Sequence, residues 1–338
     1  MRVLFLVLAL FLFVNSAAAA DIELSWPVAC TPGQNCWVVN YVDDGAAKTS
    51  PKDFTCGDMT YAGHDGTDIA IKDHKSIADN ISVLAAADGT VERTRDSVED
   101  GNGTASDLDA SREAKNGCGN AVMINHGNGW ETLYCHMKRG SISVHAGQLV
   151  HADDKLGSVG QSGMAEFAHV HFGVMHNGKI IDPFTGLPPQ AGCGVSNTAS
   201  LWRMPIAYET LIPYAAGFSN RVPDTNLLVN DTSSPAHISV TSHILGFWML
   251  LYGVEPGDHI AMTILDPEGK IYVQHDSIQD KKKIRIMKYV GLRTPNHPLY
   301  PGTYTGKATL SRMLPDGKVL RHSIKNAVVV DEAKLQQP

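Results

Sequence analysis

The feature that most constrains the fold of this chain is a repeated pattern of short apolar runs separated by glycine and asparagine turns. From residue 21 to about residue 186, no long stretch has the period of an amphipathic helix. Strand-like segments cover residues 81–85, 89–93, 121–125, 131–137, 155–159 and 170–175. The turn at His126 to Gly129 joins two of them as a hairpin. The sequence therefore predicts a mainly β protein built on antiparallel sheet, and the polar segment 96–117 reads as a long loop.

The C-terminal part of the chain has a different sequence pattern. From about residue 227, short strands are separated by the turn signals EPGD, DPEGK, YPGT and LPDGK. This spacing is typical of a β-sandwich, so we predict an immunoglobulin-like sandwich over residues 227–338. The apolar run 244–254 is too short to span a membrane and is better read as a buried strand. Residues 199–226 are expected to form a partly structured linker.

The N-terminus has the pattern of a secretory signal peptide. Residues 1–20 carry one arginine, then an apolar stretch, then small residues, and cleavage is expected near Ala20 and Asp21. An uncleaved anchor is the alternative. No cysteine follows the small residues directly, which does not favour a lipid anchor. We expect a periplasmic or secreted protein with no stable membrane span after cleavage. Its formal net charge of −7 does not favour nucleic-acid binding.

The six cysteines are even in number and contain no CxxC pair. In an oxidising compartment this predicts three disulfides, although six cysteines allow many pairings. Cys118 and Cys135 flank the predicted hairpin at similar distances from its turn, and are the first pair expected. Cys30 and Cys36 enclose the turn-forming segment TPGQN. That leaves Cys56 with Cys193, which would tie the end of the N-terminal domain to its start.

Two histidines one residue apart, His169 and His171, lie in the strand-like segment EFAHVHFGV. Alternate residues of a strand share a face, so both imidazoles point the same way, as a metal site or as a satisfied histidine pair. Upstream, HDGTD places His64 four residues before Asp68, and an extended backbone would put both on one face. A histidine, a carboxylate and one more histidine make three ligands. Catalytic zinc sites use three and leave the fourth position to water.

The segments GHDGTDIAI, AAADGTVE, GNAVMINHGNGWETLYCHM, HAGQLVHADDKLGSVGQSG and HVHFGVMHNGKIIDPF occur in that order. From Tyr61 to Phe184 the chain resembles the M23 (LytM/lysostaphin-type) zinc metallopeptidases. The resemblance implies a peptidase domain over residues 21–198, with motif core 61–184. It implies a Zn²⁺ cofactor held by His64, Asp68 and His171.

The same resemblance implies that His136 and His169 are catalytic residues that do not bind the metal. They would position and deprotonate the attacking water and stabilise the oxyanion. The family cleaves peptides of the bacterial cell wall, so the implied activity is zinc-dependent endopeptidase action on stem peptides or cross-links of peptidoglycan. The alternative is a non-catalytic wall-binding module or an activator of other cell-wall hydrolases.

Three further expectations concern the surroundings of this site. Asn120 aligns with a position near the family's groove and is a candidate for holding substrate backbone; a plain turn residue is the other reading. The family often has Gly or Pro where this chain has Ala168, and the loop 96–117 is longer than usual, so it could cap the groove. The sandwich is expected to supply no zinc ligand, to meet the peptidase domain through a modest interface, and to be available for a protein partner.

Overall fold

The structure is a computed structural model that describes residues 22–45, 50–189, 193–194, 200–294, 298–314 and 316–332. The predicted signal peptide, residues 1–20, lies outside these residues. Within the described ranges, no helix is both long and apolar enough to cross a membrane.

The N-terminal half is built on antiparallel strands, as predicted. Ten strands lie in its described residues: β1 (Cys36–Asn40), β2 (Thr67–Ile71), β3 (Ser82–Leu84), β4 (Gly89–Arg95), β5 (Asn120–Gly127), β6 (Trp130–Met137), β7 (Leu149–Val150), β8 (Lys155–Ser158), β9 (His169–His176) and β10 (Lys179–Ile180). Seven of them form one sheet in the order β1-β2-β9-β6-β5-β4-β7, with β10 added on β9, while β3 pairs with β8. A 3-10 helix, Lys75–Asp79, follows β2. Because β2, β9 and β6 are neighbours, the motifs that carry histidines meet in the middle of the sheet.

The segment 96–117, predicted to be a loop, contains the helix α1 (Ala105–Glu113). A capping box begins this helix: the Thr104 side chain accepts from the backbone of Asp107, and the Asp107 carboxylate accepts from the backbone of Thr104. No residue of α1 is buried. The helix therefore has no apolar face, and the periodicity on which the loop prediction relied could not show it.

The C-terminal half, where the structure describes it, contains a helix, α2 (Thr225–Asn230), and eight strands. These are β11 (Ile212–Ser219), β12 (His237–Ser239), β13 (Ile244–Val254), β14 (His259–Leu265), β15 (Ile271–Ile278), β16 (Lys283–Arg293), β17 (Gly302–Met313) and β18 (Val319–Asp331). They form a three-stranded sheet, β11-β13-β16, and a five-stranded sheet, β12-β18-β17-β14-β15. Apolar side chains of both sheets share one core. The immunoglobulin-like character of this pair of sheets stays a prediction.

Strand β13 shows how the two halves meet. Phe247, Met249 and Leu251 pack into the core between the two C-terminal sheets. Trp248 and Leu250 point the other way, into the core of the peptidase half. Since both faces are covered, the strand reads as a continuous apolar run rather than an alternating one. The run 244–254 is thus a buried strand, as predicted, but the two halves share a continuous apolar core instead of a modest interface.

The predicted linker, residues 199–226, also differs from the expectation. Its second half contains β11, which pairs with β13 from Ile212 opposite Tyr252 to Ser219 opposite Gly246. The Pro- and Gly-containing sequence around this strand suggested an irregular connection. The pairing places β11 at the edge of the sheet that faces the peptidase half.

All three predicted disulfides are present: Cys30–Cys36, Cys56–Cys193 and Cys118–Cys135. No cysteine is free in the described part of the chain. Because disulfides persist in oxidising compartments, the pattern fits a protein that works outside the cytoplasm.

Candidate metal centre and active site

Three side chains meet where β2 lies against β9. The antiparallel register sets Asp68 directly opposite His171. Asp68 Oδ1 lies 3.0 Å from His171 Nδ1 and 3.0 Å from His64 Nε2. The two imidazole nitrogens are 3.2 Å apart. The structure therefore brings the three predicted ligands together with their donor atoms facing one point, and they are the one potential metal cluster among the described residues.

His64 reaches this point by a route that differs from the extended backbone assumed from the sequence. Strand β2 begins only at Thr67, and His64 ends a turn in which its N–H donates to the carbonyl of Tyr61. Gly63 in that turn has a φ of +76°. The turn, rather than alternation along a strand, places the imidazole beside Asp68.

The donor set fits zinc. A tetrahedral ion with bonds of about 2.0–2.2 Å holds its ligand atoms roughly 3.3–3.6 Å apart, so the observed separations need to open by only a few tenths of an ångström. His64 Nδ1 lies 2.7 Å from the carbonyl oxygen of Tyr41, and Asp68 Oδ2 accepts from the Asn40 amide at 2.8 Å. Such outer contacts orient metal ligands and fix the histidine tautomer.

Gly66 keeps the space beside this cluster open. A Cβ at this position would lie 2.6 Å from His171 Nε2 and 2.8 Å from the carbonyl oxygen of Phe172. The His171 Nε2 itself lies 3.2 Å from a carboxylate oxygen of Asp65. Any larger residue at position 66 would therefore push directly on a predicted metal ligand.

Two further histidines lie beside the three ligands. His169, two residues before His171 on β9, has its Nε2 3.6 Å from Asp68 Oδ1. The ring of His136 is centred 4.6 Å from that of His169 and 6.1 Å from that of His171. Both side chains are almost fully buried. The five residues named from the sequence thus form one cluster, with three donor groups at its centre and two imidazoles at its side.

A β-bulge aims His136 into the cluster. The register of β5 against β6 shifts so that Cys135 and His136 together face Ala121. His136 has a φ of +61°, in the left-handed region that non-glycine residues rarely adopt, and its N–H donates to the carbonyl of Cys118. The disulfide between Cys118 and Cys135 closes the same corner. Bulges commonly redirect a side chain next to an active site, and here the bulge sets the direction of a predicted catalytic residue.

Burial and neighbouring charges shift the pKa values of four groups in the cluster. Burial lowers the pKa of His169, and it holds the pKa of His136 well below its usual range with help from the neighbouring imidazoles. Burial also opposes ionisation of Asp68, but the surrounding histidines outweigh it and keep the pKa of that carboxyl well below 3.8. For His171, hydrogen bonds to Asp65 and Asp68 overcome burial and raise the pKa to about 9. The site therefore holds an ionised carboxylate beside two neutral imidazoles.

Asn120 lies beneath the site and not on its surface, which corrects its assignment as a substrate-binding candidate. Its side chain has no exposure. The amide nitrogen donates to the carbonyl oxygens of Val98 and Met137, and the amide oxygen accepts from the N–H of Val98. With these groups engaged, Asn120 fastens the end of β6 next to His136. Burial of a polar residue at a strand start could not be read from the sequence alone.

The segment 96–117 borders the face of the sheet that carries the site. A hollow of about 380 Å³ on that face is lined by Arg93, Arg95, Lys115 and the Cys118 end of the segment. Leu133 of β6 also lines the hollow. Its side chain lies on the same face of the sheet as that of Cys135, which pairs with His171 of β9. The segment forms a side wall along this face. That it caps the groove remains an expectation.

Sequence reasoning missed the groups that orient the histidines. His136 Nδ1 lies 2.8 Å from the carbonyl oxygen of Ser162, and His169 Nδ1 lies 2.7 Å from that of Phe167. The Ser162 hydroxyl also donates to the carbonyl of Met137. Backbone carbonyls leave no signature in residue type, so no sequence signal marks these contacts. Asn40, the amide partner of Asp68, lies 28 residues upstream and was equally invisible.

Comparison with known proteins agrees with this geometry. Residues 62–183 match the family model described as Peptidase family M23. An uncharacterized metalloprotease of Haemophilus influenzae is 28% identical over 131 residues, covering 38% of this chain and 24% of the relative. The DD-carboxypeptidase/endopeptidase Mpg of Neisseria meningitidis is 41% identical over 69 residues, covering 20% of this chain and 15% of the relative. The match thus spans about a quarter or less of each of these relatives.

Among solved structures, a zinc-containing peptidase from Vibrio cholerae is 23% identical, with 44% of this chain and 39% of that chain covered and a TM-score of 0.28. The family match runs from residue 62 to residue 183 and encloses His64, Asp68, His136, His169 and His171. The segment 62–183 is therefore similar to peptidase family M23.

Proposed function

We propose that this protein is an exported, zinc-dependent endopeptidase that hydrolyses peptide bonds of bacterial peptidoglycan, in stem peptides or cross-links. The observation that carries the proposal is the convergence of His64, Asp68 and His171 at separations of 3.0–3.2 Å, with two buried imidazoles beside them. The three residues would hold the ion, and His136 and His169 would remain free of it.

The two remaining histidines are arranged for proton transfer. In each, Nδ1 faces a backbone carbonyl oxygen, which assigns the ring proton to Nδ1 and leaves Nε2 as a proton acceptor. The lowered pKa of each ring keeps it neutral and ready to accept a proton from water. Once protonated, Nε2 can return the proton to the leaving amine or donate a hydrogen bond to an oxyanion. Bound zinc would supply Lewis acidity, which polarises the scissile carbonyl and acidifies water.

The substrate and location rest on different observations. A relative named DD-carboxypeptidase/endopeptidase supports wall peptides as the substrate class. Three disulfides support an oxidising compartment, and the predicted signal peptide supports export, so we place the protein in the periplasm or outside the cell. A wall-binding module or activator without turnover is the alternative outcome of the test.

Digestion of purified sacculi by the zinc-loaded protein tests the proposal. We expect new amino and carboxyl termini in the released fragments, identified by mass spectrometry. His171→Ala should abolish their release. His176→Ala should not, since His176 is a half-buried histidine at the far end of the same strand, where it stacks on Trp130. Binding to sacculi without any new termini would leave the alternative and refute the peptidase.

A further inference from the structure

A groove of about 490 Å³ lies between the peptidase half and the C-terminal half. Tyr61 and Phe167 form the wall on the peptidase side. Residues 282–285, at the start of β16, form the opposite wall. The groove is therefore a composite of both halves, and its second wall lies outside the region that matches the peptidase family.

The peptidase wall touches the predicted active site. The ring of Tyr61 is centred 4.5 Å from that of His64, and the ring of Phe167 is centred 4.7 Å from that of His169. Tyr61 is 45% exposed, so this wall is open to a ligand. A peptide bound in the groove would be separated from the predicted metal ligand His64 only by Tyr61, and from the predicted catalytic residue His169 only by Phe167.

The opposite wall is basic. Lys282 and Lys283 are exposed, and the Arg285 guanidinium carbon lies 5.2 Å from the centre of the Phe167 ring. In the described part of the chain, neither Lys283 nor Arg285 forms an ion pair with a carboxylate. Lys282 lies 3.9 Å from Asp58, a carboxylate that already pairs with Lys52 at 2.7 Å. The acid lining the groove is Glu166, so the lining carries an excess of positive charge.

The basic wall is held in place by the sheet. Lys283 pairs with Val254 and Arg285 with Tyr252 in the register of β16 against β13. The next residue of the same face of β13, Leu250, packs into the peptidase core. Cations beside an aromatic wall suit a carboxylate carried by an extended peptide, because the charges are complementary.

We propose that Lys282, Lys283 and Arg285 form a subsite that binds a carboxylate of the peptide substrate next to the scissile bond. The C-terminal half would then select acidic peptides for the peptidase, beyond any role in docking a protein partner. The inference rests on the proposed peptidase function for its meaning, but the binding step can be measured separately.

The test compares binding of a fluorescein-labelled wall tetrapeptide in two forms, with free carboxylates and with the same groups as carboxamides. Fluorescence anisotropy with the metal-free full chain gives the dissociation constants without turnover. We expect the wild type to prefer the free acid, and Lys282→Gln/Lys283→Gln to weaken its binding about tenfold, the effect of two partly exposed ion pairs. Binding of the carboxamide form should not change.

Lys307→Gln/Lys325→Gln is the matched control, since it also removes two charges, from exposed positions that face each other on β17 and β18 and do not line the groove. It should keep the preference for the free acid. Equal binding of both forms by the wild type, no binding of either, or an unchanged preference in the double variant would overturn the subsite. If the preference depends on the two lysines but the zinc-loaded protein cleaves neither peptide, the subsite stands and the peptidase proposal fails.

Discussion

Replacing Gly66 by alanine is the sharpest steric test of the metal centre. The added Cβ would lie 2.6 Å from His171 Nε2, whereas ordinary contacts of a Cβ begin near 3.4 Å. The imidazole must therefore move by nearly an ångström or the backbone near Phe172 must shift. Metal sites require ligands held within about 0.5 Å of the productive position, so we expect zinc affinity to fall roughly 10- to 100-fold.

Gly173→Ala provides the control. Gly173 lies on β9 two residues after His171, and the Cβ of alanine there would meet Leu133 at 3.6 Å, an ordinary contact. Zinc affinity is measured by competition with a chromophoric chelator, and thermal unfolding of the metal-free proteins reports on the fold. If Gly66→Ala bound zinc as tightly as wild type and Gly173→Ala, the assignment of His171 as a ligand would be wrong.

Other predictions concern the remaining parts of the site. His136→Ala and His169→Ala should each keep stoichiometric zinc but lose about 10²–10⁴-fold in turnover, measured as kcat; near-normal turnover would remove that residue from the chemistry. The pKa of His136 is lower in the folded protein than in the unfolded chain. Below pH 6.5 the unfolded chain therefore binds more protons than the folded protein, and the free energy of unfolding of the metal-free protein should decrease. His136→Gln should reduce this loss in denaturant titrations, and an unchanged pH dependence would contradict it. Cys118→Ser/Cys135→Ser should lower the free energy of unfolding by about 3 kcal/mol.

The parts of the fold that follow local rules were predictable. Alternation along the strand predicted that the two histidines of β9 share one face. The structure has this arrangement, with Val170 and Phe172 in the core on the other face. The similar distances of Cys118 and Cys135 from a hairpin turn predicted their disulfide. These features depend on residues close in sequence or paired across one turn, which is the range over which pattern and turn chemistry act.

The features that escaped prediction depend on tertiary contacts. The left-handed backbone conformation of His136 arises from a β-bulge, which the residue types at this position do not predict. Asn120 was interpreted as a substrate-binding candidate or a turn residue, because its hydrogen-bond partners are backbone groups from separate segments. Strand β11 lay hidden in a predicted linker, since only its pairing with β13 makes it a strand. In each case the deciding contact joins parts of the chain whose proximity the sequence does not state.

The central claim is that His64, Asp68 and His171 hold a single zinc ion while His136 and His169 stay unliganded beside it. The most direct measurement is an anomalous difference map, recorded at the zinc absorption edge, from crystals of the zinc-loaded full chain. We predict one peak, at about 2.0–2.2 Å from His64 Nε2, Asp68 Oδ1 and His171 Nδ1. A peak bonded to His136 or His169, or no peak at this cluster in protein that carries zinc elsewhere, would contradict the account.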